Sequence, residues 1–451
     1  MHGRLAHSFL AALRCGQLRT GGPVRPWARR LSAGRISLDV LVAVFVLCAP
    51  PDLGAQQRTD TSPAASAQQK LLLANAEKYL AHEAKIRPGE TVLLIHDRSS
   101  DPKVQEAFVQ AARKAGGVVH EIVLQNPDVT DGFEIARQMR FMAWFPEWVW
   151  KPAAEADVLL EMTNLGGSHQ RGMRPQLPAR TRSVSIPFSR PEQLADPRAR
   201  GNYPEEIVET IAKAVWKQMW GAQQIQITDG EGTDLRWSLD AAAWDEVKNF
   251  DPVQSADHIP LPPPFRARAA NMQGWLAGSS THSGPLPRLR LRVQGGRVVE
   301  VQEGRHVGEY LRKVTAEYQD VQYPGFPGPG MNWVEEAALG THPGHSRVPG
   351  AETFGWWSEM NSWGGAARSG VFHFAVGASY SGRTFQFARD RKLEIQHLDI
   401  ELYTPTLIMD GRTIIRRGHL LALEDPEVGK VASKYGDPDE LLRVSWFPTG
   451  K

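Results

Sequence analysis

The alternation of apolar and polar positions divides the chain into two stretches of different character. Between residues 69 and 86 apolar side chains recur at helical spacing, which predicts an amphipathic helix. A turn at Pro88-Gly89 follows, then the apolar run Thr91 to Ile95, a buried strand. In "DPKVQEAFVQAARKAGG", Asp101 is placed to cap a helix with the stripe Val104, Phe108, Ala111 and Ala112, and Gly116-Gly117 to end it. "VVHEIVL" is the next strand. Strand, helix and strand with short links form a βαβ unit, so a parallel sheet is expected, with further strands at 156–162 and 183–188. No GxGxxG follows the first strand, so the dinucleotide fingerprint is missing. A helix is predicted over 204–220, opening on Pro204 and two acids and closing at Gly221.

Beyond residue 221 the period shortens to two. "QQIQITD", "DLRWSLD", "RLRLRVQGGRVVEVQEG", "GVFHFAVG" and "KLEIQHLDIELYTPTLIMDGRTII" alternate as strands do, with hairpin signals at Gly295-Gly296 and Asp410-Gly411. One helix is predicted at 306–319. The expected fold is α/β: an N-terminal parallel-sheet α/β domain over 69–221, then a β-rich α+β domain over 222–451.

Composition adds three constraints. The formal net charge is +2, so nothing global argues for a nucleic-acid partner. The two cysteines, Cys15 and Cys48, lie near the N-terminus, so a metal site elsewhere must use His, Asp and Glu. The leader is distinct: residues 1–38 hold seven arginines and no acid, and the apolar run Val40–Ala49 is too short for a relaxed membrane span. Basic, then apolar, then small residues around Gly54 and Ala55 read as a signal peptide over 1–55. That implies an exported protein, periplasmic or extracellular, with no stable membrane anchor in its mature chain. Residues 56–68 are expected to be a flexible linker.

Candidate chemistry gathers in the second half. In "IQHLDIEL" His397 and Asp399 are two apart and would leave a strand on the same side, together with Leu393 and Ile395. "VFHFAVGASY" places His373 in an apolar strand with Tyr380 beyond its end, and "NWVEEAALGTHPGH" offers Glu335, Glu336, His342 and His345. Two imidazoles with carboxylates suit zinc, manganese, cobalt or non-haem iron. The plainer explanation is a set of hydrogen-bonded core residues, which His-x-Asp alone does not exclude. His342 and His345, in a Pro/Gly-rich loop, are expected to face solvent.

From about residue 70 onward the sequence resembles the thermophilic metallo-aminopeptidases of peptidase family M29. The similarity rests on "RPGETVLLI" with its Ala-rich helix and "AGG", on "GTDLRWSL" (232–239), and on "EAALGTHP", "HFAVGASY" and "HLD". The resemblance implies Glu336 as a bridging carboxylate, His373, His397 and Asp399 as further metal ligands, and Tyr380 as the hydroxyl that polarises a reacting carbonyl. It also implies a homodimer and one or two divalent ions per chain, with a small peptide as substrate. His342 stands where that family has Asn. The family's further glutamate has no counterpart, because residues 271–285, "NMQGWLAGSSTHSGP", contain no acid and offer only His282 as a donor.

The 2,5-dihydroxypyridine dioxygenases are similar to the same family and also carry His-Leu-Asp-Ile. They use one iron(II) in a site of two histidines and one carboxylate, with a histidine in the place of Glu336. The missing glutamate points toward one ion, whereas Glu336 and His373 point toward the peptidases. The leading expectation is an exported aminopeptidase-like hydrolase, with Glu335 available as general base. The alternatives are a mononuclear iron dioxygenase acting on a small hydroxylated aromatic ring, and a non-catalytic metal-binding homologue. Trp356, Trp357 and Trp363 lie between Glu336 and His373 and could select an aromatic substrate; packing of the loop on itself explains them equally well.

Overall fold

The structure is a computed structural model. It describes residues 63–97, 100–124, 147–162, 177–186, 188, 190–198, 202–246, 248–255, 258–261, 271–281, 284–344, 367–377, 382–394 and 396–444. The leader, Tyr380, His282, His345, Trp356, Trp357 and Trp363 lie outside these residues.

The first half is built on a four-stranded parallel sheet of β1 (Thr91–Asp97), β2 (Val118–Leu124), β3 (Val158–Met162) and β4 (Arg182–Ser185), in the order β2-β1-β3-β4. β1 is buried along nearly its whole length because apolar groups cover both of its faces. Val92 and Leu94 join a core with helices α1 (Pro63–Glu83) and α2 (Pro102–Lys114), while Leu93 and Ile95 meet α3 (Glu147–Glu155) on the other side. Asp101 caps α2 as its position predicts, its carboxylate accepting the Lys103 N–H at 2.8 Å, with Pro102 opening the helix. α1 begins at Pro63, inside the stretch expected to be a flexible linker. Leu72, Ala76, Tyr79 and Leu80 anchor it in the core.

The second half holds β5 (Gln224–Thr228), β6 (Asp234–Ser238), β7 (His258–Pro260), β8 (Gln273–Thr281), β9 (Gly284–Gln294) and β10 (Arg297–Glu303). It continues with β11 (Val334–Gly340), β12 (Phe372–Gly377), β13 (His397–Leu402), β14 (Thr406–Met409), β15 (Arg412–Arg416) and β16 (His419–Leu420). These form an eight-stranded sheet, β10-β9-β8-β6-β5-β14-β15-β16, and a four-stranded sheet, β13-β12-β11-β7. Ile225, Leu235, Leu276 and Leu291 from the larger sheet share one core with Val334, Phe372, Phe374 and Ile400 from the smaller. A helix over Glu205–Met219, grouped above with the first half, buries Ile207, Ile211 and Val215 in this second core.

The described residues fall in one compact unit, Thr61–Lys451, and none of their helices is long and apolar enough to cross a membrane. Gly377 closes β12 with φ +119°, and a Cβ there would stand 2.1 Å from the Gln396 carbonyl oxygen. Gly377→Ala is therefore expected to lose roughly 2–4 kcal/mol of stability, combining the left-handed backbone penalty with steric displacement. An unchanged midpoint in urea denaturation would refute this.

Candidate metal centre

Strand alternation gives the four-stranded sheet two unlike faces. Val334, Ala337 and Leu339 of β11, Phe372, Phe374 and Val376 of β12, and Leu398, Ile400 and Leu402 of β13 all enter the core. The other face carries Glu336 and Ala338, then His373, Ala375 and Gly377, then His397, Asp399 and Glu401. Small residues thus lie between the polar ones: Ala375 pairs with both Glu336 and Asp399, and Gly377 pairs with His397. β13 begins at His397, so Leu393 does not share that strand face as expected; it packs beneath the helix Arg305–Glu317 and its following turn instead.

The register of β11 against β12 shifts between Val334 and Glu336, leaving Glu335 as the extra residue of a β-bulge. A bulge breaks strict alternation, so two consecutive side chains can project to one side. Both Glu335 and Glu336 come within 4 Å of His397 for this reason. The approach to the bulge is anchored by Val334 N–H donating to the Gly296 carbonyl at 3.0 Å and by Arg297 Nε donating to Asn332 Oδ1 at 2.9 Å.

The resulting cluster is tight. His373 Nε2 lies 3.3 Å from Glu336 Oε1, and His397 Nε2 lies 3.2 Å from Asp399 Oδ1 and 3.7 Å from Glu336 Oε2. His397 Nδ1 is 3.4 Å from Glu335 Oε2. His373 is wholly buried, and Glu335, His397 and Asp399 nearly so, whereas the Glu336 side chain keeps 33% exposure and gives the cluster a route to solvent. Burial alone would raise the Glu336 carboxyl, but the His373 hydrogen bond and the charges of His373 and His397 outweigh it and hold the group well below the usual carboxylate range. Burial likewise opposes charge on His397; Asp399 foremost, then Glu335, overcome it and push the imidazole well above its ordinary value.

These residues fit a divalent cation. Glu336, His373 and Asp399 form one set of converging donor atoms; Glu335, Glu336 and His397 form another, with Glu336 common to both. Ligands about 2.1 Å from a tetrahedral ion stand about 3.4 Å apart, and the separations above scatter around that value. Glu335 Oε2 is buried and makes no hydrogen bond. Three carboxylates crowded beside two imidazoles carry an excess of negative charge that a cation offsets, and burying it unmatched costs several kcal/mol per ion.

Other candidates behave differently. His342 is buried rather than solvent-facing: its ring lies 5.0 Å from that of Tyr203, and its Nδ1 accepts the Gly344 N–H at 3.0 Å. The reason is tertiary, since Gly344 backs so closely onto the Arg198 carbonyl that only glycine fits. Trp275, in the acid-free segment 271–285, carries the Arg290 guanidinium 4.0 Å above its ring. The sequence reading missed Glu401. It lies opposite His373 in the ladder, is buried, accepts a hydrogen bond from the Tyr403 hydroxyl and lies 3.4 Å from Ser280 Oγ. The signal was present, because "HLDIE" puts a third polar residue on the same alternation.

Residues 73–262 match the family described as NicX: 2,5-dihydroxypyridine 5,6-dioxygenase. The matched segment ends before Glu335 and so contains none of the clustered side chains. No curated protein matches the chain. Among solved structures, the chain is similar to 2,5-dihydroxypyridine dioxygenase from Pseudomonas putida KT2440, with a TM-score of 0.48 and 16% identity over 80% of this chain and 99% of the other. It is also similar to AmpT, an M29 aminopeptidase, from Thermus thermophilus, with a TM-score of 0.48 and 15% identity over 78% of this chain and 99% of the other.

A cation at this cluster must displace the proton that His397 holds well above its ordinary pKa. Metal affinity should therefore rise with pH through the neutral range, and binding should release protons. Calorimetric titration in two buffers of different ionisation enthalpy reads this directly; identical heats in both would contradict it.

Proposed function

We propose that the protein is a metal-dependent enzyme, and that its chemistry is hydrolysis of an amide at the N-terminal end of a small peptide. The observation that carries the reading is the position of Glu336, whose two carboxylate oxygens face the imidazoles of His373 and His397 separately. Glu336, His373, His397 and Asp399 would hold the ion. A divalent cation held there would supply a nucleophile at neutral pH, by lowering the pKa of water toward ~7, and would polarise a carbonyl.

The chain's own residues define the rest. The apolar face of the sheet fixes the two histidines, and a substrate group would approach from the side of Glu336, whose side chain keeps 33% exposure. Tyr380, just past β12, would donate a hydrogen bond to the developing oxyanion; removing a good donor of that kind costs roughly 3–4 kcal/mol of transition-state stabilisation. The family resemblance supplies the choice of Tyr380.

The second reading, a ring-cleaving dioxygenase with one iron(II), is favoured by the family match over residues 73–262. A carboxylate at 336 weighs against it, because a site of two histidines and one carboxylate leaves two of the three clustered acids over.

Metal analysis of the purified protein, with hydrolysis of amino-acid p-nitroanilides measured beside oxygen uptake on dihydroxylated pyridines, separates the two. The hydrolase reading expects zinc, cobalt or manganese and p-nitroaniline release that His397→Ala and Asp399→Ala each reduce at least 100-fold, about 2.7 kcal/mol of barrier. Iron with oxygen consumption and no amide hydrolysis would replace it with the dioxygenase. Bound metal without turnover on either substrate would favour a binding protein.

A further inference from the structure

The two nitrogens of His397 face different neighbours. Nε2 points toward Asp399 Oδ1 at 3.2 Å and Glu336 Oε2 at 3.7 Å, whereas Nδ1 points toward Glu335 Oε2 at 3.4 Å. The imidazole nitrogens diverge, so Glu335 approaches the ring from another side than Asp399 does. Glu335 is buried and its Oε2 has no hydrogen bond, so its carboxylate has no other polar duty at that atom. It reaches this place only because the bulge in β11 adds a residue between Val334 and Glu336.

From this geometry we propose that Glu335 is a positioning residue: it accepts the Nδ1–H of His397, fixing the tautomer and ring orientation that present the Nε2 lone pair to a cation shared with Glu336, His373 and Asp399. The proposal rests on the metal-centre reading above and assigns Glu335 a role other than that of proton acceptor in the reaction. Ligating histidines commonly direct their second nitrogen at a carboxylate, which fixes the tautomer and raises the basicity of the ligating atom. The 3.4 Å separation is longer than a formed hydrogen bond, and it would shorten once a cation draws Nε2 into place.

Three roles for Glu335 give three different results. As a positioning residue it contributes an acceptor and no ligand. As a ligand in the set with Glu336 and His397 it would hold a second ion. As a general base it would govern turnover and leave affinity alone.

The experiment uses the full chain, stripped with chelator and titrated with Co2+. Glu335→Ala should weaken Co2+ binding 10–100-fold. Glu335→Gln keeps an acceptor for the Nδ1–H and should restore affinity to within a few-fold of the parent. Both variants should bind as many ions as the parent and, at saturation, keep the intensity of its cobalt ligand-field bands. Glu335→Ser serves the same comparison if the alanine variant does not fold. Loss of one bound ion in Glu335→Ala would make Glu335 a ligand and overturn the proposal. So would parent-like affinity in that variant, or a glutamine variant as weak as the alanine one. Parent protein that takes up no Co2+, Zn2+ or Mn2+ would fail differently, removing the metal centre itself.

Discussion

The polar cluster depends on one division: a sheet whose two faces have opposite chemistry. Phe372, Phe374, Leu398 and Ile400 hold β12 and β13 from the core side, while His373, His397 and Asp399 stand on the reverse of the same strands. Backbone hydrogen bonds along the ladder set the spacing of the imidazoles, and the apolar face resists any twist that would change it. Alternation alone would have put only one of Glu335 and Glu336 on the polar side. The bulge brings both acids there, and with them the negative charge that makes a cation the natural complement.

The two halves contribute different kinds of information. The parallel sheet and its helices lie mostly within the segment that matches a dioxygenase family, and the clustered side chains lie beyond it. The chemistry of the cluster therefore has to be read from its own donor atoms, separations and charge.

Much of the architecture was legible in the sequence because it follows from period and punctuation. Asp101 with Pro102 marks a helix start, and the run Thr91–Ile95 marks a strand buried on both faces. Asp410-Gly411 marks a tight turn between β14 and β15. His397 and Asp399 were legible as neighbours from their two-residue spacing. Glu335 was not, because a bulge is a property of two paired strands and leaves no period in either. Nor was the burial of His342, which Tyr203 and the Arg198 backbone impose from far along the chain. Glu401 was legible and was overlooked, and Tyr403 and Ser280 make sense of its burial only in three dimensions.

Phe374 and His373 are adjacent residues facing opposite ways, one into the hydrophobic interior and one into the cluster. Mutational drift behind the sheet is thus mechanically tied to the front. A void opened at Phe374 lets the strand settle inward, and an imidazole that must meet its partners to within a few tenths of an ångström moves with it. In this architecture the interior sets alignment as well as cohesion, so the geometry of the cluster can be lost through a greasy side chain while the chain remains folded.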